Sequence, residues 1–282
     1  MRRLVWLAAV AGILPVGAQT PSLIDILKEE LDRNYSLLKE KADPAPYFMS
    51  YGIVEQDAEV FSGTLGALQI ENRSQGRLLD VSVRVGTPKL DSYHSARGER
   101  PQFGGASPLP IENSAAAIRR RLWMDTDRSY RAGAQRLINL RTSTQVNVAD
   151  EDSSDDFSKE SPSVATLPFK KFTANSQEWA KKVRSWSAEF AKFPSVLTSN
   201  VSVRLSNETK YLVNTEGTKL QHGRGFARIT IGAQAKAADG MDLSASESFE
   251  AENPTELAKD AAVVATIRKV GQDLTSLLQA PW

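Results

Sequence analysis

Apolar residues recur at helical spacing in four stretches of the chain, and each stretch begins with residues that cap helices. The first runs from about residue 21 to 41 behind Thr20-Pro21, and the second runs from Asn113-Ser114 to about residue 140. The third begins at Asn175, with Glu178 three residues later, and the last begins at Asn253. The third stretch is strongly amphipathic because its large apolar residues are spaced 4, 3, 4 and 3 apart: Trp179, Val183, Trp186, Phe190 and Phe193.

Stretches between these helices combine β-branched and aromatic residues with turn-formers, and some alternate apolar with polar residues, which predicts strands. Three precede the second helix, at 47–54, 63–71 and 79–85, and four follow the third, at 197–205, 210–214, 226–237 and 241–250. The region 87–111 lacks periodicity and is predicted to be a long surface loop. The order of elements predicts an α+β fold built from duplicated helix–antiparallel sheet–helix units, with the helices packed on the sheets.

An acidic and serine-rich segment separates the two groups of elements. It contains Asp150-Glu151-Asp152 and Asp155-Asp156 and has no apolar periodicity. Such a composition is typical of a solvated linker. We therefore expect a first unit at 19–145, a linker at 146–174 and a second unit at 175–282.

The first 18 residues have the pattern of a secretory signal peptide. Arg2 and Arg3 precede an apolar run too short to span a bilayer, and Gly17-Ala18 offers small residues for cleavage. This predicts export to the periplasm or the extracellular space, with no membrane span after leader cleavage. Without the leader the chain has 33 basic and 34 acidic residues, a formal charge of −1. A balance this even argues against a nucleic-acid partner.

The composition closes most routes to catalysis. The chain has no Cys, so disulfides, thiolate nucleophiles and Cys-ligated zinc are excluded, and its only His residues are His94 and His222. We expect no catalytic and no metal-binding residue in this chain.

Four patterns invite a chemical interpretation, and each has a simpler one. Ser36 and Lys39 match a Ser-x-x-Lys pattern but lie on an ordinary amphipathic helix without the partner motifs of such enzymes. The acidic run 150–156 lacks the glycine and terminal Glu of a calcium loop. His222-Gly223-Arg224-Gly225, a possible anion site, is more simply a turn, and His94 an exposed loop residue. The aromatic stripe of the third helix is interpreted as core.

Four stretches of the sequence resemble one protein family. They are Asp-Pro-Ala-Pro-Tyr-Phe-Met-Ser-Tyr at 43–51, Arg-Leu-Trp-Met-Asp-Thr-Asp-Arg-Ser-Tyr at 121–130, Tyr-Leu-Val-Asn-Thr-Glu-Gly-Thr at 211–218 and Ala-Asp-Gly-Met at 238–241. Together they resemble the N-terminal region of exported members of the TldD/PmbA family, also called peptidase U62 and labelled modulators of DNA gyrase. The resemblance covers nearly all of the chain after the leader. It implies a zinc-dependent peptidase that acts on small or unstructured peptides, with paired subunits enclosing the site.

The resemblance stops short of the family's chemistry. In TldD-like members a His-Glu-x-x-x-His helix and a Cys hold the zinc in the C-terminal half, and no position here matches either. The resemblance therefore implies a non-catalytic domain that shapes or binds peptide, with any zinc belonging to a catalytic half outside this sequence. A truncated or split gene and a separately encoded catalytic subunit both remain open. So does a stand-alone binding or structural protein of the cell envelope, and the sequence does not identify ligand-binding residues.

Overall fold

A computed structural model describes residues 21–95, 105–144, 154–167 and 169–280, with only the backbone of 143 and 144. The predicted leader lies outside the described residues. The described residues form four α-helices and eight strands. The helices are α1 Leu23–Lys41, α2 Ala115–Thr144, α3 Ser176–Ser187 and α4 Asp260–Leu278. The strands are β1 Pro46–Thr64, β2 Ala67–Thr87, β3 Leu90–Asp91, β4 Ser107–Pro108, β5 Val164–Thr166, β6 Thr198–Asn214, β7 Lys219–Lys236 and β8 Asp242–Ala251.

All eight strands belong to one sheet with the order β3-β2-β1-β6-β7-β5. β4 also pairs with β2 and β8 with β7, and every pairing is antiparallel except that of β5 with β7. Two long hairpins, β1–β2 and β6–β7, meet at the centre, where β1 pairs with β6 from Ser50↔Asn214 to Gly63↔Val201. The α+β prediction is confirmed, and the two predicted units contribute their strands to a single sheet.

The helices cover one face of this sheet. Every strand residue in the two apolar clusters has an odd number, and side chains of alternate residues point to the same face. The first cluster joins α1 and α2 to strand residues such as Met49, Tyr51 and Val83. The second joins α3 and α4 to residues such as Val203 and Ile229. Burial of these side chains is the main favourable contribution to the fold.

Each hairpin reaches under the helices of the other half. At the tip of β1–β2, the Gly66 amide donates to Ser187 Oγ of α3 at 3.1 Å. At the turn of β6–β7, the Met49 amide donates to Thr215 Oγ1 at 3.1 Å. Lys219 Nζ lies 2.7 Å from Asp25 Oδ1 of α1. The two halves are therefore interlocked through the strands.

Some predicted boundaries are wrong. Segment 63–71 contains a hairpin turn at Leu65 and Gly66 rather than one strand, and the predicted strands 197–205 and 210–214 are both parts of β6. Asn253 caps a 3-10 turn at Pro254–Glu256, whereas α4 begins only at Asp260. The predicted loop 87–111 contains the short strands β3 and β4, and residues 96–104 of it lie outside the described residues. Among the described helices, none is long and apolar enough to cross a membrane.

Candidate functional site

A band of charged side chains separates the two apolar clusters on the helix-covered face. It consists of Glu55, Asp57 and Glu59 on β1 and of Arg73 and Arg77 on β2, and we call it the charged seam. The β1–β2 pairing places Glu55 opposite Arg77 and Glu59 opposite Arg73, and the Arg73 guanidinium lies 3.1 Å from Oδ2 of the diagonal neighbour Asp57. Opposite charges at facing strand positions stabilise the pairing.

Arg77 is the centre of the charged seam and is only 5% exposed. Its guanidinium donates to Glu55 Oε2 from Nη2 at 2.6 Å and from Nε at 3.1 Å, and to the Pro110 carbonyl at 2.8 Å. Lys171 Nζ lies 2.7 Å from the other oxygen of Glu55. Burial raises the pKa of Glu55, but hydrogen bonds from Lys171 and Arg77 outweigh burial and hold the pKa below its ordinary value. Glu55 is therefore ionised at neutral pH.

The segment 169–174, which we call the strap, crosses the β6–β7 side of the same face. The Asn207 side chain forms two hydrogen bonds with the backbone of the strap. Its Oδ1 accepts from the Phe172 amide at 3.1 Å, and its Nδ2 donates to the Phe172 carbonyl at 3.0 Å. The Phe169 ring lies directly over Gly223, and the Phe172 ring lies over Gly225. A Cβ atom at either glycine would overlap these neighbours, so glycine is required for the close approach.

A second buried network lies where β2 meets β3. The Asp91 carboxylate is fully buried and accepts hydrogen bonds from Arg84 Nη1 and from the Tyr47 hydroxyl, both at 2.6 Å. Asp156 Oδ2 accepts from the Asp91 amide at 2.9 Å, and His94 Nδ1 lies 2.7 Å from Asp156 Oδ1. Burial and the hydrogen bond to Asp91 raise the pKa of Tyr47, so its phenol stays protonated.

A cavity of about 310 Å³ lies next to this network, between β2, α2 and the loop that follows β3. Leu79, Val81 and Val83 form part of its floor, and Tyr93, Arg128 and Asp125 contribute polar groups. Asp125 is 4% exposed and is bound by Arg121 Nε at 2.8 Å and by the Arg128 guanidinium and the Ser107 hydroxyl. The cavity has the volume of a small-ligand site with an apolar floor, which suits binding.

His94 and the acidic segment, which the sequence places far apart, come together in the buried network. His94 was predicted to be an exposed loop residue, and the acidic segment a solvated linker. Both predictions are wrong at this point, because Asp156 holds His94 and the Phe157 ring packs 4.7 Å from the Phe48 ring. Residues 145–153, which include the start of the acidic run, lie outside the described residues.

The other flagged residues lie apart from these networks. Ser36 and Lys39 are both exposed on α1. His222 to Gly225 do not form a turn, since they lie inside β7, and His222 and Arg224 point to the sheet face that the helices leave open. Trp179, Trp186 and Phe190 are buried in the second cluster, as predicted. Within the described ranges, no group of three His, Cys, Asp or Glu side chains is placed to hold a metal ion.

Comparison with known proteins gives matches only among solved structures, since no protein-family model and no curated protein matches the chain. TldE from Thermococcus kodakarensis superposes on 89% of this chain with a TM-score of 0.54 and 10% identity. A candidate modulator of DNA gyrase from Thermotoga maritima covers 90% with a TM-score of 0.52 and 12% identity. A candidate modulator of DNA gyrase from Bacteroides thetaiotaomicron covers 90% of this chain with a TM-score of 0.51 and 11% identity. The chain has the fold of these proteins.

The resemblance to the TldD/PmbA family is thus confirmed in the fold. The chain spans about half the length of each neighbour, 47% of TldE and 49% of each of the other two. Neither the exported character nor a peptidase role follows from a likeness in fold at this identity.

Two long strand edges lack a partner strand in the part of the chain that the structure describes. One is the outer edge of β8, and the other is the outer edge of β2 between residues 68 and 76. The Leu109 amide donates to the Arg77 carbonyl at 2.8 Å, so the main chain of Arg77 points away from β1. Because main-chain direction alternates along a strand, Glu71, Arg73 and Gln75 also offer their amides and carbonyls outward.

Proposed function

We propose that the chain is a non-catalytic domain of TldD/PmbA type that binds or shapes peptide for a zinc metallopeptidase half that lies outside this sequence. The observation that supports this most is the likeness in fold to TldE, which spans 89% of this chain but 47% of the neighbour. The sequence itself contains neither a Cys nor a His-Glu-x-x-x-His motif. Any zinc would be bound by the other half.

The open edge of β2 is our candidate for peptide contact. An extended peptide can join a sheet as an additional strand, with main-chain hydrogen bonds giving affinity that depends little on sequence. Glu71, Arg73 and Gln75 provide three outward-pointing residues in a row, and all three side chains are exposed. This suits a protein that handles unstructured peptides.

The proposal is tested first by a zinc-dependent peptidase assay. The purified chain is assayed alone and then mixed with the product of any adjacent reading frame that encodes His-Glu-x-x-x-His and a Cys, with bound metal measured in both samples. We expect the purified chain alone to hydrolyse no peptide, and we expect peptide hydrolysis in the mixture. Metal-dependent cleavage by the chain alone contradicts the proposal.

The peptide edge is tested by Gln75→Pro, which removes one outward amide and leaves the pairing with β1 in place. We expect peptide affinity to fall about fivefold, the effect of one lost hydrogen bond. Gln75→Thr keeps the amide and serves as the matched control. Equal affinity in both variants excludes this edge as the contact.

A second candidate function is a stand-alone binding protein of the cell envelope. The cavity beside Tyr93 and Arg128 favours it, since its volume of about 310 Å³ is that of a small-ligand site. Inactivity in every mixture of the first assay, together with saturable binding of a small ligand that protects the chain against thermal unfolding, supports this candidate instead.

A further inference from the structure

Helix α2 concentrates positive charge that the rest of the chain does not share. Its 30 residues contain seven Arg and two Asp and neither Lys nor Glu, a formal charge of +5, whereas the whole chain carries +1. The helix is about 45 Å long, at 1.5 Å per residue. A charge excess of this size on one straight element creates a local positive field.

The solvent-facing side of α2 also carries large apolar side chains. The buried side contains Ile118, Leu122 and Leu137, all fully buried. Successive residues of an α-helix are rotated by about 100° around its axis. The residues on the side opposite to the buried side form what we call the outward stripe. Its large and charged members are Arg120, Trp123, Met124, Asp127, Arg131, Ile138 and Arg141.

The apolar members of the outward stripe are unusually open. Trp123 and Ile138 are each 50% exposed and Met124 is 44% exposed. Trp123 and Met124 adjoin one another, and Ile138 lies 14 residues farther along the same side, at a distance of about 21 Å. Adjoining exposed apolar side chains mark an interaction surface. Here they lie between arginines over about 30 Å of helix, from Arg120 to Arg141.

Two arginines of the stripe are available to a partner. Among the described residues, Arg120 and Arg141 form no ion pair, whereas Arg131 Nε lies 2.9 Å from Asp127. Arg119 beside the stripe pairs with Glu29 of α1 at 2.7 Å, and Arg128 pairs with Asp125. The unpaired charge therefore lies at the two ends of the stripe, on either side of the apolar side chains.

We propose that the outward stripe of α2 binds an anionic lipid surface, with the helix parallel to the membrane plane. Trp is favoured at the membrane–water interface, and guanidinium groups bind phosphate through two parallel hydrogen bonds. A helix that lies in the membrane interface needs apolar side chains that enter the lipid and cationic side chains that bind the headgroups. The outward stripe offers Trp, Met and Ile for the first and Arg for the second. This inference does not rest on the proposed peptidase role.

The test is flotation of the full chain with phosphatidylcholine vesicles, with and without phosphatidylglycerol, followed by tryptophan emission. We expect binding only to the anionic vesicles, weakened by added salt, with a blue shift that Trp123→Phe abolishes. Arg120→Gln with Arg141→Gln lowers partitioning about 25-fold, at about fivefold for each arginine. Lys181→Gln with Arg184→Gln on α3 removes the same charge elsewhere and leaves binding unchanged.

Three results overturn the proposal. The first is absence of binding to anionic vesicles, and the second is equal loss of binding in the α2 and α3 variants. The third is tighter binding of a single-stranded oligonucleotide or of polyglutamate, reduced by the same α2 substitutions, which assigns the stripe to a different anionic partner. None of these assays involves peptide hydrolysis, so their outcome is separate from that of the peptidase assay.

Discussion

At the scale of single residues, buried charges and close-packed glycines join the two halves of the molecule. Arg77 contacts Glu55 across the β1–β2 pairing and also the Pro110 carbonyl, which belongs to the segment leading into α2. Lys171 approaches the same carboxylate from the strap. A buried ion is tolerated only with such complete pairing, because an uncompensated charge in the interior costs several kcal/mol.

The first prediction concerns Glu55→Gln. This change leaves the Arg77 guanidinium buried without its carboxylate, and we expect the free energy of unfolding to fall by about 3 kcal/mol. The folded-state pKa of Glu55 lies below its ordinary value of 4.5. The stability that the ionised Glu55 carboxylate contributes is therefore present above pH 4.5 and is lost as the pH falls through the folded-state pKa. Urea unfolding at neutral pH and at pH below 4 measures both effects.

The control for this prediction is Asp32→Asn. Asp32 forms an exposed pair with Lys28 on α1, and such pairs contribute at most about 1 kcal/mol. Equal losses in Glu55→Gln and Asp32→Asn contradict a special role for the charged seam.

The second prediction concerns Gly225→Ala. The new Cβ would overlap the Glu252 carbonyl oxygen and lie 2.9 Å from the Phe172 ring. We expect a loss of about 1–3 kcal/mol in the free energy of unfolding, together with faster proteolysis within the strap. Gly232→Ala on the same strand is the matched control, since nothing lies within 4 Å of its Cβ, and we expect it to be nearly neutral. Similar stability in the two variants shows that the strap does not pack as described.

At the scale of elements, the strands of the β1–β2 hairpin are longer than strands usually are. β1 and β2 have 19 and 21 residues, against about five or six in a typical strand, so each crosses both apolar clusters and the charged seam. The third prediction concerns the turn that joins them. Leu65 has a φ of 48° and is 58% exposed, followed by Gly66 at 86°, which is the geometry that Asn-Gly adopts readily.

We expect Leu65→Asn to stabilise the protein by about 0.5–1 kcal/mol, because Asn tolerates positive φ better than Leu. Leu65→Ala removes the same apolar surface but keeps the backbone cost, so its stability stays near that of the natural chain. Thermal unfolding followed by circular dichroism distinguishes the two. A gain in both variants assigns the effect to lost surface rather than to the turn.

This turn also shows where sequence patterns predict elements and where they do not. α3 is predicted because the spacing of Trp179, Val183 and Trp186 is periodic and local. The β1–β2 turn is missed because Leu65 carries no turn signal. β6 is read as two strands because it crosses the charged seam at Asn207 and Glu208, whose polarity resembles that of a loop. The buried network is missed because His94 and Asp156 lie 62 positions apart, and no local pattern joins them.

At the scale of the whole molecule, the sheet makes the two predicted units share one structure. The tip of each hairpin lies under helices of the other half, and β1 pairs with β6 over 14 residues. The boundaries at 145 and 175 therefore divide the helices but not the sheet. Because both halves share this sheet, we expect them to unfold in one cooperative transition.

The fourth prediction tests this cooperativity with Leu122→Ala. Leu122 is fully buried between α2 and the first half of the sheet, and its truncation costs about 2–5 kcal/mol. Trp179 and Trp186 report on the second cluster when the α2 fluorophore is removed by Trp123→Phe in every variant compared. We expect the midpoint seen by their fluorescence to fall as far as the midpoint seen by far-UV circular dichroism, because β1 and β6 transmit the loss through their shared pairing.

Two outcomes are distinguishable in that measurement. Coincident shifts mean that both halves unfold together. An unchanged fluorescence midpoint means that the α3–α4 half remains folded when the α1–α2 half is lost. The midpoint of Ile267→Ala, which truncates an equally buried side chain of α4, then serves as the reciprocal check, since a cooperative sheet requires the two variants to shift both signals alike.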